Sequence, residues 1–162
     1  MKRLLALTVT AAVLTSSLAV LAQTRPNFAG KWTLVPDPNA AAAGGRGRGM
    51  AGGLGQTFTA TQDEKTLTVV STTQMGEIKA VYNLDGSATK NPITLVGQTV
   101  ERTSKVKWDG ARLIVTSISN FQGNAAETTQ VWSLDKSGSL TVESTNNFSG
   151  TPTTTKALYK KS

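Results

Sequence analysis

From residue 28 onward the chain consists of short runs in which apolar and polar side chains alternate, a pattern typical of β-strands buried on one face. Threonine is abundant between the apolar positions, and its β-branched side chain suits the solvent face of a sheet. No run after the first 22 residues shows a convincing helical period. The predicted strands cover 28–35, 56–62, 66–73, 77–84, 99–108, 111–120, 126–134, 139–147 and 153–160, with a short additional strand at 93–96 and a bulge at Gly97.

Turn residues separate these runs at a regular spacing. Four turns that contain aspartate recur every 22 to 26 residues, and further turns fall between them. A turn roughly every dozen residues indicates an antiparallel up-and-down meander. We therefore predict an all-β fold of eight to ten strands closed into a small barrel, because closure removes exposed strand edges. The aspartate turns are Asp63-Glu64, Asp85-Gly86, Asp109-Gly110 and Asp135–Gly138, and the intervening turns include Met75-Gly76 and Asn91-Pro92.

One face of the predicted strands carries a set of apolar residues near the aspartate turns and is assigned to the barrel interior. Every second turn of a meander lies at the same end, so the four aspartate turns are expected together. Tyr82, Trp108 and Trp132 each lie one to three residues before such a turn and should form an apolar floor. The apolar set is Leu67, Val69, Tyr82, Leu84, Val106, Trp108, Leu113, Val115, Trp132, Leu134, Leu140 and Val142, whereas Val81, Ile114 and Val131 do not fit it.

Farther from the floor, the same face becomes polar. This change predicts an interior that is dry at one end and hydrated at the other. Two interpretations follow: a barrel that admits a small molecule, or a collapsed barrel whose polar side chains bind buried water. The polar positions are Ser71, Ser104, Ser117, Ser119, Gln130, Ser144 and Asn146.

Residues 1–22 have the pattern of a secretory signal peptide. Lys2-Arg3 is a basic start, Leu4 to Val13 is an apolar core, and small residues precede a cleavage site near Ala22. A membrane-spanning helix is the alternative, but threonine and serine interrupt the apolar run. The expected mature protein, 23–162, is one β-barrel domain located in a bacterial periplasm or secreted.

Residues 36–55 are predicted to form a flexible, Gly-rich loop. The Arg-Gly repeat from Gly44 to Gly49 has two interpretations: nucleic-acid binding by a disordered segment, or a solvated linker. Because an exported protein rarely meets RNA, we favour the linker and expect no nucleic-acid partner.

Composition limits the chemistry that this chain can perform. The 162 residues carry a formal charge of +7 and include no histidine and no cysteine, which excludes histidine-based triads, thiol nucleophiles, zinc cages and disulfides. The acidic residues lie at turns or are scattered, and no two stand two apart on a strand. We expect no enzyme activity, no metal and no cofactor. The outward threonine, lysine and serine also oppose stable insertion into a membrane.

Three segments resemble the calycin group, and the fatty-acid-binding proteins more than the lipocalins. They are Phe28–Leu34 with its Gly-x-Trp, the hairpin block Lys107–Ile114, and the closing segment Ala157–Lys161. The resemblance implies a small ligand-binding barrel and places Tyr159 at the family's closing tyrosine. The family's inward arginine two residues before that tyrosine is Ala157 here, and the Gly-rich loop replaces its helical lid.

Arg102 is the candidate replacement for that arginine, because it shares inward parity with Ser104, Val106 and Trp108. The alternative is an arginine that extends into solvent from a strand start.

The sequence thus favours an exported, monomeric, non-catalytic protein that binds a small apolar or amphipathic molecule. The alternative is a structural or protein-interaction module of the envelope, acting through the Gly-rich loop and a basic exterior that includes Lys105, Lys107, Lys160 and Lys161. The expected ligand contacts are Tyr82, Arg102, Trp108, Ser117, Gln130, Trp132 and Tyr159.

Overall fold

The computed structural model describes residues 25–37, 54–73, 76–95, 98–121, 123–148 and 151–162. The expected signal peptide, residues 38–53 of the expected Gly-rich loop and the expected bulge at Gly97 lie outside these ranges. Regular structure within them consists only of β-strands. The described chain contains no helix with the length and apolar character needed to cross a membrane.

Ten of the twelve strands found in the described ranges form one antiparallel sheet, in the order β4-β3-β2-β1-β12-β11-β10-β9-β8-β5, and β6 and β7 form a separate hairpin. Neighbours in the sheet are mostly consecutive in sequence, and the first strand pairs with the last. The strands are β1 (Gly30–Leu34), β2 (Thr57–Gln62), β3 (Thr66–Thr73), β4 (Gly76–Asn83), β5 (Thr89–Lys90), β6 (Ile93–Leu95), β7 (Gln98–Val100), β8 (Arg102–Asp109), β9 (Arg112–Phe121), β10 (Asn124–Leu134), β11 (Leu140–Phe148) and β12 (Thr151–Lys161).

The sheet curls into a nearly closed barrel, which confirms the predicted all-β meander. The two ends of the sheet meet where β4 approaches β5 and β8. Two details differ from the prediction. The run at 99–108 is divided at Glu101 between β7 and β8, and the two-residue strand β5 was not predicted. A two-residue strand is too short for an alternation of polar and apolar positions to appear.

At three of the turns the aspartate carboxylate accepts hydrogen bonds from backbone N–H groups of the residues that follow it. Asp63 Oδ1 accepts the N–H groups of Lys65 at 2.7 Å and Thr66 at 2.6 Å. Asp85 and Asp135 accept backbone and hydroxyl groups of the serines two residues later. These hydrogen bonds favour the ionised form and lower the pKa of each of the three carboxyls. The turns are therefore fixed by charge-assisted local bonds.

The protein should lose stability in acid. A carboxyl whose pKa is lower in the folded state stabilises the fold above its unfolded pKa, and this contribution is lost as pH falls through the folded value. The thermal midpoint should therefore decrease below about pH 4. Replacing Asp63, Asp85 and Asp135 together by asparagine keeps an oxygen acceptor but removes the charge, and it should flatten the decrease. The same acid dependence in wild type and triple variant would contradict this explanation.

The barrel interior contains the apolar set that the alternation predicted. Ten of its twelve members belong to the core, and the other two, Trp108 and Leu134, pack against it as partly buried side chains. Ile114 and Val131, which did not fit the pattern, are cross-strand partners on the outer face. Aliphatic pairs in this position stabilise strand pairing. The floor also contains aromatic residues that were not singled out for it, Phe28, Trp32 and Phe58.

These rings pack into a continuous aromatic cluster. Phe28 stacks on Trp108, with centroids 6.2 Å apart, and meets Trp132 edge-on at 5.7 Å. Phe58 contacts both Trp132, at 5.7 Å, and Tyr159, at 5.1 Å. The Tyr159 hydroxyl donates to the carbonyl of Gly55 at 3.1 Å. One end of the barrel is therefore dry and densely packed, as predicted.

Candidate functional site

The other end of the interior is polar and shielded from solvent. Ser71, Ser104, Ser117, Gln130 and Ser144 are buried, so five of the seven predicted polar positions are removed from water. The remaining two lie farther along the strands, where Ser119 is half-buried and Asn146 is exposed. Burial thus decreases toward this end of the barrel, and the predicted change from a dry floor to a polar end is present.

A small cavity lies between the aromatic floor and the polar end. Its volume is about 20 Å³, which is room for about one water molecule. Pockets for drug-sized ligands are usually about 300–1,000 Å³. A molecule larger than water would therefore have to displace side chains to occupy this space. The lining residues are Leu54, Val69, Ser71, Ile78, Ala80, Tyr82, Arg102 and Gln130.

Arg102 provides the charge at the cavity. Its side chain is half-buried at the start of β8, and its Nε is buried without a hydrogen-bond partner in the described structure. The ion pairs among the described residues join Lys90 to Glu101, Arg112 to Asp109 and Lys156 to Glu143. None of them neutralises Arg102, so the guanidinium has capacity to bind an acceptor.

Tyr82 faces the same cavity from β4 and remains neutral at physiological pH. Burial raises the pKa of its hydroxyl, and the nearby charge of Arg102 opposes this only in part. Burial also raises the pKa of Tyr159 to about 12. Neither tyrosine therefore supplies a negative charge to pair with the arginine.

Three of the seven predicted contact residues meet at the cavity: Tyr82, Arg102 and Gln130. Trp132 lies next to them, because its indole N–H donates to Gln130 Oε1 at 3.1 Å. The other three, Ser117, Trp108 and Tyr159, are not among the residues that line the cavity. The hydroxyl of Ser117 pairs with that of Ser104 across the β8–β9 ladder at 2.8 Å, and the two aromatic residues belong to the floor.

Leu54 is a lining residue that sequence reasoning missed. It stands at the end of the segment predicted as a flexible loop, yet it is 4% exposed and reaches into the interior. A single apolar residue after a Gly-rich stretch has no periodic neighbours, so alternation gives no signal for it.

Asn91 is the second residue that was missed, and it joins the two ends of the sheet. We call the junction between β4 and β8 the seam. In the described ranges no strand ladder crosses it. Instead, the Asn91 side chain accepts the Val81 N–H at 2.7 Å and donates to the Val81 carbonyl at 3.0 Å. The Asn91 backbone N–H donates to the carbonyl of Arg102 at 2.7 Å, which completes the bridge.

The exposed lysines of the predicted basic exterior lie on two separate strands. Lys105 and Lys107 are on β8, whereas Lys160 and Lys161 are on β12. Three strands stand between β8 and β12 in the sheet. At a strand spacing of about 4.8 Å, the two pairs are too far apart to form one continuous patch.

The described residues contain no group of three or more acidic side chains placed to hold a metal ion. No family model and no curated protein matches the chain. The nearly closed antiparallel barrel is compatible with a calycin-like fold, and this agreement concerns architecture alone.

Proposed function

We propose that this protein binds a small amphipathic molecule at the polar end of the barrel interior, without catalysing a reaction. The observation that carries the proposal is the cavity between Tyr82, Arg102 and Gln130, where a buried guanidinium nitrogen lacks a partner. Burying such a group without a hydrogen bond is costly. An interior that served only for stability would be expected to contain apolar side chains at this position.

The chemistry of the lining residues predicts how the ligand is oriented in the cavity. A guanidinium has donors and no acceptor, so it selects an acceptor, and a carboxylate binds it most strongly. Leu54, Ile78 and Ala80 offer an apolar wall beside it. We therefore expect a short ligand with an anionic head at Arg102 and an apolar tail along this wall. The cavity volume limits the ligand to a compact molecule unless side chains move.

The test is a titration monitored by tryptophan fluorescence. Trp132 can report on the cavity because its indole is hydrogen-bonded to Gln130, which lines the cavity. Octanoate is compared with octanol, and benzoate with benzyl alcohol, so that each pair differs in the charged head. Arg102→Gln should weaken binding of the carboxylates about tenfold or more, as expected for a lost charged hydrogen bond, and the alcohols much less.

Arg112→Gln is the matched control, since Arg112 is an exposed arginine at the Asp109-Gly110 turn. It should leave all four affinities unchanged. Equal affinity of wild type and Arg102→Gln for the carboxylates would refute the role of Arg102. No response of wild type to any of the four compounds would refute the interior site and favour the envelope-module alternative.

A further inference from the structure

The number of hydrogen bonds that join neighbouring strands differs around the barrel. Continuous ladders hold β3 to β4 from Thr66 to Thr73, and β8 to β9 from Arg102 to Asp109. At the seam, the side chain of Asn91 provides the hydrogen bonds instead of a ladder. A single side chain fixes fewer backbone groups than a ladder of paired residues. The seam is therefore the place where the described wall separates with the fewest broken bonds.

The contacts beside Asn91, which are an ion pair and the short strand β5, add little to the stability of the seam. The ion pair between Lys90 and Glu101 has an N–O distance of 3.1 Å, but its side chains are 73% and 58% exposed. Exposed pairs of this kind contribute little to stability. The adjoining strand β5 pairs with β8 through only two residues, Thr89 and Lys90.

The residues that Asn91 joins at the seam lie beside or belong to the lining of the cavity. Asn91 binds the backbone of Val81, and the next residue, Tyr82, faces the cavity. Asn91 also binds the carbonyl of Arg102, whose side chain lines the cavity from the opposite edge. Separating β4 from β8 would therefore move Tyr82 and Arg102 apart and enlarge the space between them.

We infer that the seam is the route by which a ligand reaches the cavity, and that the Asn91 side chain holds this route closed. The inference rests on the proposed function in naming the interior as the destination. It also explains how a space of about 20 Å³ accommodates a molecule larger than water: the wall opens at the seam, and the cavity widens with it.

Thiol labelling tests this inference without an identified ligand, because the chain contains no cysteine. Ser71→Cys places a thiol on the cavity wall, where the native side chain is 3% exposed. Its labelling rate with iodoacetamide is measured in the full chain, with and without Asn91→Ala. Loss of the Asn91 bonds should accelerate labelling about tenfold or more, since each buried group left unpaired shifts an opening equilibrium by roughly that factor.

Ser144→Cys is the matched control. Ser144 is fully buried on β11, separated from β8 by two strands. In the Asn91→Ala background the Ser144→Cys thiol should be labelled at least about tenfold more slowly than the Ser71→Cys thiol, because a seam that opens locally leaves this wall intact and the Ser144→Cys thiol is reached only by global unfolding. Equal labelling rates at the two thiols would show that both are reached by global unfolding and would overturn the inference. No acceleration at Ser71→Cys would overturn it as well and indicate access from the polar end.

Amide hydrogen exchange in the unmodified protein gives a second readout should Asn91→Ala fail to fold. The Val81 amide should exchange at least about tenfold faster than protected amides of β9 and β10, through a local opening of the seam. Exchange of all these amides at one common rate would contradict the inference. Neither experiment uses a ligand, so failure of the octanoate titration affects the proposed function and leaves these results interpretable.

Discussion

Replacing Trp132 by alanine is expected to lower the free energy of unfolding by about 4 kcal/mol. The indole is fully buried and meets the rings of Phe28 and Phe58 edge-on. Its N–H also donates to Gln130. Alanine would leave a cavity at the centre of the floor and remove the donor of a buried hydrogen bond.

Trp108→Ala is the matched control for this change. Trp108 stacks on Phe28 from the margin of the same cluster and is only partly buried. Trp108→Ala should lower the free energy of unfolding by about half as much as Trp132→Ala, because solvent and neighbouring side chains fill the vacated space more easily. Urea unfolding followed by circular dichroism measures both variants. Equal losses, or a loss below about 1.5 kcal/mol for Trp132→Ala, would show that the floor is not the main source of stability.

Asn91→Ala should lower the free energy of unfolding by about 3 kcal/mol. Asn91 is 2% exposed, and alanine removes both hydrogen bonds to the Val81 backbone. Each buried backbone group left without a partner costs about 1–3 kcal/mol, with water replacing part of the loss. The effect is therefore large for a polar side chain outside any ladder.

Asn146→Ala provides the comparison, since Asn146 is exposed and accepts one hydrogen bond from Thr128 at 2.8 Å. Its removal should cost less than about 1 kcal/mol. The same urea experiment measures both asparagine variants. If the two substitutions have equal effects, the seam is held by contacts other than the Asn91 amide.

Most of the fold could be predicted because strand alternation and turn spacing are local properties of the sequence. Residues two apart share a face, so Leu113 and Val115 could be assigned to the interior before their partners were known. Asp109-Gly110 marked a hairpin through the positive φ that its turn requires, and Gly110 has a φ of 59°.

The seam could not be predicted, because it depends on how two distant strands meet. Asn91-Pro92 indicated only a turn, whereas in the structure the Asn91 side chain substitutes for a missing ladder between β4 and β8. A side chain that replaces backbone pairing has no periodic signature. The inward position of Leu54 was hidden for a similar reason, since it belongs to no strand.

The cavity volume could not be predicted from the alternation of polar and apolar residues either. Parity shows which side chains point inward, but not how closely opposite walls approach or how fully the side chains occupy the interior. Tyr82, Arg102 and Gln130 come from three different strands, and their meeting depends on the curvature of the sheet. The sequence therefore left a hollow and a collapsed interior as alternatives, and in the described structure the space among these three residues is water-sized.

A titration of the ¹⁵N-labelled protein with octanoate, followed residue by residue by NMR, locates the binding site on the molecule. Binding at the polar end predicts saturable chemical-shift changes at Tyr82, Arg102 and Gln130, which line the cavity. The exposed residues Lys105 and Lys160 should change little. Changes confined to the exposed lysines, or the absence of any saturable change in the interior, would contradict a ligand site inside the barrel.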